Sequence, residues 1–257
     1  MRKKRSRGIK MGHKLPFYRN CRCFMDNQYT EGGRGGYIRD PRYATDPHHY
    51  IRAFMLIQKD LLTLFDYVEP SDSNLRTHSH RIAELLFRTC VEVEANFKAI
   101  LSDNGYSATS NTNILDYMKL EPSHRLSSYV IKLPCWKGKT DCFKPFSSFS
   151  TNTSPNWYKA YNSVKHNRSK NFKEASFRNL VEAVCGLVAL LSSQFHGEDF
   201  SCIDYLVCES GIGDGFDSAI GSYFWVKYPN DWPDSEKYDF MWPHMDKKRR
   251  KFKKLFP

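Results

Sequence analysis

Tyr158, Asn162 and His166 recur at intervals of four residues, so a helix here stacks a phenol, an amide and an imidazole on one face, with Lys165 beside them. Arg168 follows two positions after His166. Histidine is the side chain best matched to proton transfer near neutral pH, and flanking cations offset charge that builds on a phosphoryl group in transit. The set suits metal-independent cleavage of RNA, in which a base deprotonates the ribose 2'-hydroxyl. The same spacing also suits a plainer role, with Asn162 and His166 bonded to neighbouring helices and Lys165 and Arg168 solvated.

The element carrying these residues begins near Ser154-Pro155-Asn156, and its other face, Trp157, Tyr161 and Val164, is apolar at the helical period. Four further readings surround it. Asp46-Pro47 supplies an N-cap and an N1 proline for a first helix, with Ile51, Phe54, Met55, Leu61, Leu62, Phe65 and Val68 at helical spacing. Thr77 is placed to cap a second, longer helix whose stripe runs Ile82, Leu86, Cys90, Val93, Phe97 and Ile100 and ends near Gly105. Its other face carries Glu84, Arg88 and Glu92 at spacing that allows an ion-pair ladder. Asn171 and Glu174 have capping-box spacing and open a last helix with Phe172, Leu180, Val184, Leu187 and Leu191 on one stripe.

Between these, residues 102–155 are rich in Ser, Thr, Asn and Pro and predict short helices joined by loops, with apolar patches over 114–120 and 126–133. Residues 1–45 predict a basic irregular arm. Residues 197–257 predict an extension in which Tyr223–Tyr228 suits a short strand and Trp232, Tyr238, Phe240 and Trp242 anchor a wrapping segment. The class is mainly α: a helical bundle over 46–196 with an appendage at each end. Gly211-x-Gly213-x-Gly215 follows no clear strand, which argues against a phosphate loop.

The net charge of +11 is concentrated at the ends. Residues 1–14 hold seven Lys/Arg and no acid, and residues 246–257 hold seven with Asp246 alone, which leaves 25 basic against 27 acidic residues between them. Such tails attract polyanions by counterion release, so RNA is the expected partner. The longest apolar run, Val181–Leu191, is too short to span a bilayer, and no apolar stretch follows the basic start, so a cytoplasmic protein off the membrane is expected. Eight scattered cysteines, among them Cys21-x-Cys23, Cys135-x6-Cys142 and Cys202-x5-Cys208, lack the spacing of a structural zinc site. Reduced thiols, no metal and no other cofactor are expected.

The run Trp157-Tyr158-Lys159-Ala160-Tyr161-Asn162-Ser163-Val164-Lys165-His166-Asn167-Arg168, followed by Asn171-Phe172, Ala175 and the apolar helix to Leu191, resembles bacterial members of the HEPN superfamily. The likeness extends over roughly residues 48–196 and is sharpest over 157–191. It implies an up-and-down helical bundle that commonly dimerises and so brings two motif copies together. Many members are metal-independent endoribonucleases of phage-defence, toxin–antitoxin or CRISPR systems, and others only bind RNA, nucleotides or protein partners. The family motif is an Arg, often a polar residue after it, and a His four to six positions on.

Carried over, His166 is the motif His and Asn162 its polar residue, whereas the Arg position holds Tyr161, a phenol that donates a hydrogen bond but brings no positive charge. Arg168 or Arg88 would then supply that charge. The resemblance makes His166, Asn162, Tyr161 and Arg168 the catalytic set, Lys165, Tyr158 and Arg88 the RNA contacts, and Glu84 and Glu92 acidic partners on the long helix. The expected function is a metal-independent endoribonuclease or RNase-type toxin of a bacterial defence or toxin–antitoxin system. The alternative is a non-catalytic module that binds RNA or a protein. A second copy of the chain and a cognate defence or antitoxin protein are the expected protein partners.

Overall fold

In the computed structural model the chain is described over residues 12–107, 109, 112–198, 200, 215–246 and 252–256. Most of the two basic tails, Cys202, Cys208 and the first two glycines of the Gly211–Gly215 run lie outside these residues. Helix α1 spans Pro47–Phe65 and α2 spans His80–Asp103; two short helices, α3 (Ile114–Met118) and α4 (Glu121–His124), follow. Strands β1 (Val130–Lys132) and β2 (Cys142–Phe143) precede α5 (Asn156–His166), the single-turn α6 (Arg168–Asn171) and α7 (Phe177–Phe195). Strands β3 (Asp217–Ser218) and β4 (Trp225–Lys227) and helix α8 (Trp242–Asp246) complete the order. The chain is mainly helical with one small sheet.

Helix α7 is the centre of the core. Nearly every residue from Leu180 to Phe195 is buried, because α2, α1 and α5 all pack on it. Gly186 is where α5 comes closest: a Cβ there would sit 3.1 Å from Cζ2 of Trp157, whose indole is pinned by a 2.9 Å hydrogen bond to the Pro145 carbonyl. Helix α2 stops at Gly105, which adopts φ +88° and would drive a Cβ to 2.6 Å from the Phe256 carbonyl oxygen.

The helix boundaries follow the hydrophobic period, but the caps shift. Pro47 opens α1 as expected, while Asp46 turns left-handed (φ +46°) and its side chain caps nothing. Helix α2 is capped by Ser79, whose Oγ accepts from Ile82 N at 3.2 Å. Thr77, the expected cap, instead gives its carbonyl to Phe177 N at 2.7 Å and so ties the start of α2 to that of α7. The Asn171–Glu174 box is not made: α7 starts five residues later than that spacing predicts and is capped by Ser176, whose Oγ accepts from Asn179 N at 3.4 Å. Phe172 therefore leaves the apolar stripe of α7 and sits in a short 3-10 turn, Phe172–Glu174.

The stretch expected to add short helices over 126–133 holds a 3-10 turn, Leu126–Ser128, followed by strand β1. The sheet runs β2-β1-β4-β3, antiparallel throughout, with Ile131 paired to Phe143 on one side and to Val226 on the other. Strand β4 falls where a strand was expected; β1, with three residues, is too short for alternation to show, and its partner lies about ninety positions away.

Residues 12–45 are no loose arm. Phe17, Cys21, Cys23, Phe24, Tyr37 and Tyr43 join the core, and Cys21 N bonds to the Ser193 carbonyl of α7 at 2.8 Å. Two arginines are buried outright. Arg19 bonds Asp103 at 2.5 Å, Gln194 at 3.2 Å and the Thr45 carbonyl, and Arg22 bonds Glu236 at 2.7 Å and Asn20. The C-terminal aromatics close over this segment: Tyr238 and Phe240 pack edge-on against Phe24 and Tyr37, and Tyr238 N bonds the Cys23 carbonyl. The anchoring rings expected of the extension thus hold the N-terminal segment as much as the bundle. Among the described residues no helix is long and apolar enough to cross a membrane.

Candidate nucleic-acid interface

Helix α5 divides its residues sharply. Trp157, Tyr158, Ala160, Tyr161 and Val164 face inward, Asn162 is half-buried, and Lys165, His166, Asn167, Arg168 and Lys170 are exposed. Tyr161 is only 2% exposed and packs on Phe87 of α2 with centroids 5.3 Å apart. Its hydroxyl accepts from Lys165 Nζ at 3.3 Å, and the ammonium also lies 5.2 Å from its ring centroid. Burial, first, and the nearby Glu94 carboxylate raise the Tyr161 phenol above its ordinary pKa; the hydrogen bond from Lys165 opposes them and raises Lys165 in turn. Tyr161 is a packing residue with a polar tip.

Tyr158 donates to Glu94 Oε1 of α2 at 2.9 Å. Burial and that carboxylate push its phenol well up, so it stays neutral. Asn162 spends its amide on its own helix, donating to the Tyr158 carbonyl at 3.2 Å. Its side chain consequently orients neither His166 nor a ligand in this arrangement. Among the described residues nothing hydrogen-bonds to His166, which stands in solvent beside Lys165 and Arg168 at the end of α5.

The corner after α5 is built by asparagines. Asn167 Oδ1 accepts from Lys170 N at 3.3 Å and from Ser169 Oγ at 3.0 Å, and Asn171 Nδ2 donates to the Ser163 carbonyl of α5 at 3.1 Å. These bonds satisfy orphan backbone groups at a helix end and fix α6 against α5. Arg168, Lys170 and Lys173 project from this corner, and among the described residues none of them is in an ion pair. Lys165 and His166 also lie at the negative end of α5.

Arg88, Glu84 and Glu92 are not brought to α5, and no ladder forms along α2. Arg88 pairs with Asp60 of α1, Glu84 with Arg81 at 3.1 Å, and half-buried Glu92 faces His49 and Arg88; burial is the main reason its pKa is raised. Arg88 and Glu84, though not Glu92, line the groove between α1 and α2, a hollow of about 510 Å³ whose walls also include Asp60, Leu64, Tyr67 and Leu85. The α2 acid that does meet α5 is Glu94, two positions after Glu92, which a helix directs to another face, and Phe87 packs beside it on Tyr161. The spacing of a single helix could not say which of its faces meets α5.

Among the described residues no group of three or more His, Cys, Asp and Glu side chains is placed to hold a metal ion. Comparison of the chain with family models, with curated proteins and with solved structures gives no match.

Proposed function

We propose that this chain is an HEPN-like RNA-associated protein that binds RNA phosphates at the corner between α5 and α6. The observation that carries the reading is the corner itself: Asn167 and Asn171 hold Arg168, Lys170 and Lys173 outward, in no ion pair among the described residues, at the C-terminal end of a helix whose inner face is locked by Tyr158 and Tyr161. Cations so displayed neutralise backbone charge and read no sequence, and the basic tails reinforce them. With Tyr161 buried at the motif's Arg position, the binding module is the first reading. Tight binding of a single-stranded RNA, weakened at least fivefold in Arg168→Ala/Lys170→Ala with the fold intact, supports it. Binding that is indifferent to both residues overturns it.

A second reading, the metal-independent endoribonuclease or RNase-type toxin, is favoured by His166, whose imidazole is accessible and flanked by Lys165 and Arg168. In that reading two copies meet along α5, a cognate defence or antitoxin protein controls them, and His166 serves as base or acid. Products ending in 2',3'-cyclic phosphate, formed with chelator present and lost in His166→Ala, would establish it over the first. Intact RNA together with unchanged binding in His166→Ala leaves the binding module.

A further inference from the structure

Phe172 stands between the cations of the α5–α6 corner and the start of α2. Its ring is half-exposed and lies 4.7 Å from the ring of His80 at a 38° tilt, and 5.7 Å from that of His78, edge-on. Both histidines are exposed. The backbone fixes the group: His78 bridges to Ser176 in antiparallel register, Arg178 N bonds the Leu75 carbonyl at 3.1 Å, and Phe177 N bonds the Thr77 carbonyl. Exposed Arg76 lies two residues before His78, and exposed Arg178 lies in the first turn of α7. Exposed cations therefore neighbour the rings along the chain, Arg168, Lys170 and Lys173 around Phe172 and Arg76 just before His78. Among the described residues Arg76 is in no ion pair, Arg178 reaches Glu182 at 3.6 Å, and the acid within the patch is exposed Glu174.

We infer that the His78–His80–Phe172 ring cluster is a base-stacking platform and that the surface it shares with Arg168, Lys170, Lys173 and Arg76 binds single-stranded RNA in preference to duplex. The inference rests on the phosphate-binding reading of the α5–α6 corner and adds the form of nucleic acid that the site takes. Two exposed rings and one half-exposed ring, bordered by cations that are in no ion pair among the described residues, match the two demands of a single strand, because unpaired bases offer π-faces to stack while the backbone follows the charge. A duplex hides its base faces and gains only from the cations. The rings belong to three different segments, the strand-like run before α2, the first turn of α2 and the turn after α6, and are brought together only by the fold.

The test compares a 12-nucleotide single-stranded RNA with a 12-base-pair RNA duplex, using the full chain at fixed ionic strength and reading fluorescence anisotropy. Phe172→Leu keeps an apolar group against the core, and His80→Ala alters an exposed ring, so at least one of them retains the fold by circular dichroism. Each is expected to weaken single-strand binding about tenfold and duplex binding less than twofold. Arg168→Ala/Lys170→Ala is expected to weaken both. Equal loss on both substrates, or no loss on the single strand, in a folded ring variant overturns the platform. Indifference to the cation variant, with the ring variants still selective, overturns the phosphate reading instead.

Discussion

Tyr161→Arg introduces the residue that the proposed HEPN likeness would put at this position, and the packing predicts that it weakens the protein without creating a nuclease. Tyr161 is almost wholly buried, against Phe87 and Tyr158, and its hydroxyl reaches Lys165. Truncating a buried aromatic side chain costs about 3–5 kcal/mol. The methylenes of Arg regain part of that packing as the guanidinium works outward, but the head then meets the Lys165 ammonium. The net expectation is a loss of about 2–3 kcal/mol for Tyr161→Arg, with Glu94 as the available counter-ion. Tyr161→Phe loses a single long hydrogen bond and is expected to cost about 0.5–1.5 kcal/mol. Urea unfolding followed by circular dichroism measures both, and an RNA cleavage assay accompanies it. Tyr161→Arg as stable as wild type would refute the packing argument, and a gain of cleavage would show that the position is catalytic after all.

Three further outcomes follow from the core. Arg19→Met leaves Asp103 without its guanidinium partner beneath the N-terminal segment and is expected to cost about 3–5 kcal/mol in chemical denaturation. Gly186→Ala gains about 1 kcal/mol of helix propensity but forces the anchored Trp157, so a net loss is expected in a thermal melt; a raised midpoint would show that the indole can shift. His124 is fully buried with Nε2 on the Arg19 carbonyl at 3.0 Å, and burial holds its imidazole at about 4, below the ordinary 6.5. Between those values the unfolded chain binds a proton that the folded chain refuses. Stability is therefore full above pH 6.5 and falls as the pH drops toward 4, by up to about 3 kcal/mol from this residue. His124→Gln should flatten that decline in unfolding free energies measured from pH 7 to pH 4.

The sequence exposes what obeys a short period and hides what does not. The stripes of α1, α2 and α7 and the two-sided character of α5 are legible because burial repeats every turn, and Val164 and Leu187 are buried as the stripes imply. The caps misled because several Ser, Thr and Asn residues near each boundary can all accept a backbone N–H. Backbone pairing across 75–78 and 176–178 then decides in favour of Ser79 and Ser176. Residues 12–45 were illegible for a different reason: a segment that buries 19–24 in one unbroken run and Tyr37 in a 3-10 turn shows neither a helical nor a strand period, and its buried arginines read as surface charge. Within the site, His166, Lys165 and Arg168 lie together as their spacing requires, while Arg88 and Glu94 show that the rotation of α2 comes from packing on α1 and α7. Phe172, His78 and His80 meet only through the tertiary fold.

The proposed role depends on the α5–α6 corner carrying phosphate contacts in addition to the tails, and the salt dependence of RNA binding reads that directly. For single strands each neutralised phosphate contributes about 0.7 to the slope of log K against log salt. Arg168→Ala/Lys170→Ala/Lys173→Ala, with both tails present, should lower the slope by about 2 and reduce affinity at every salt concentration. A slope and affinity equal to those of the wild type would place the contacts in the tails alone and contradict the account.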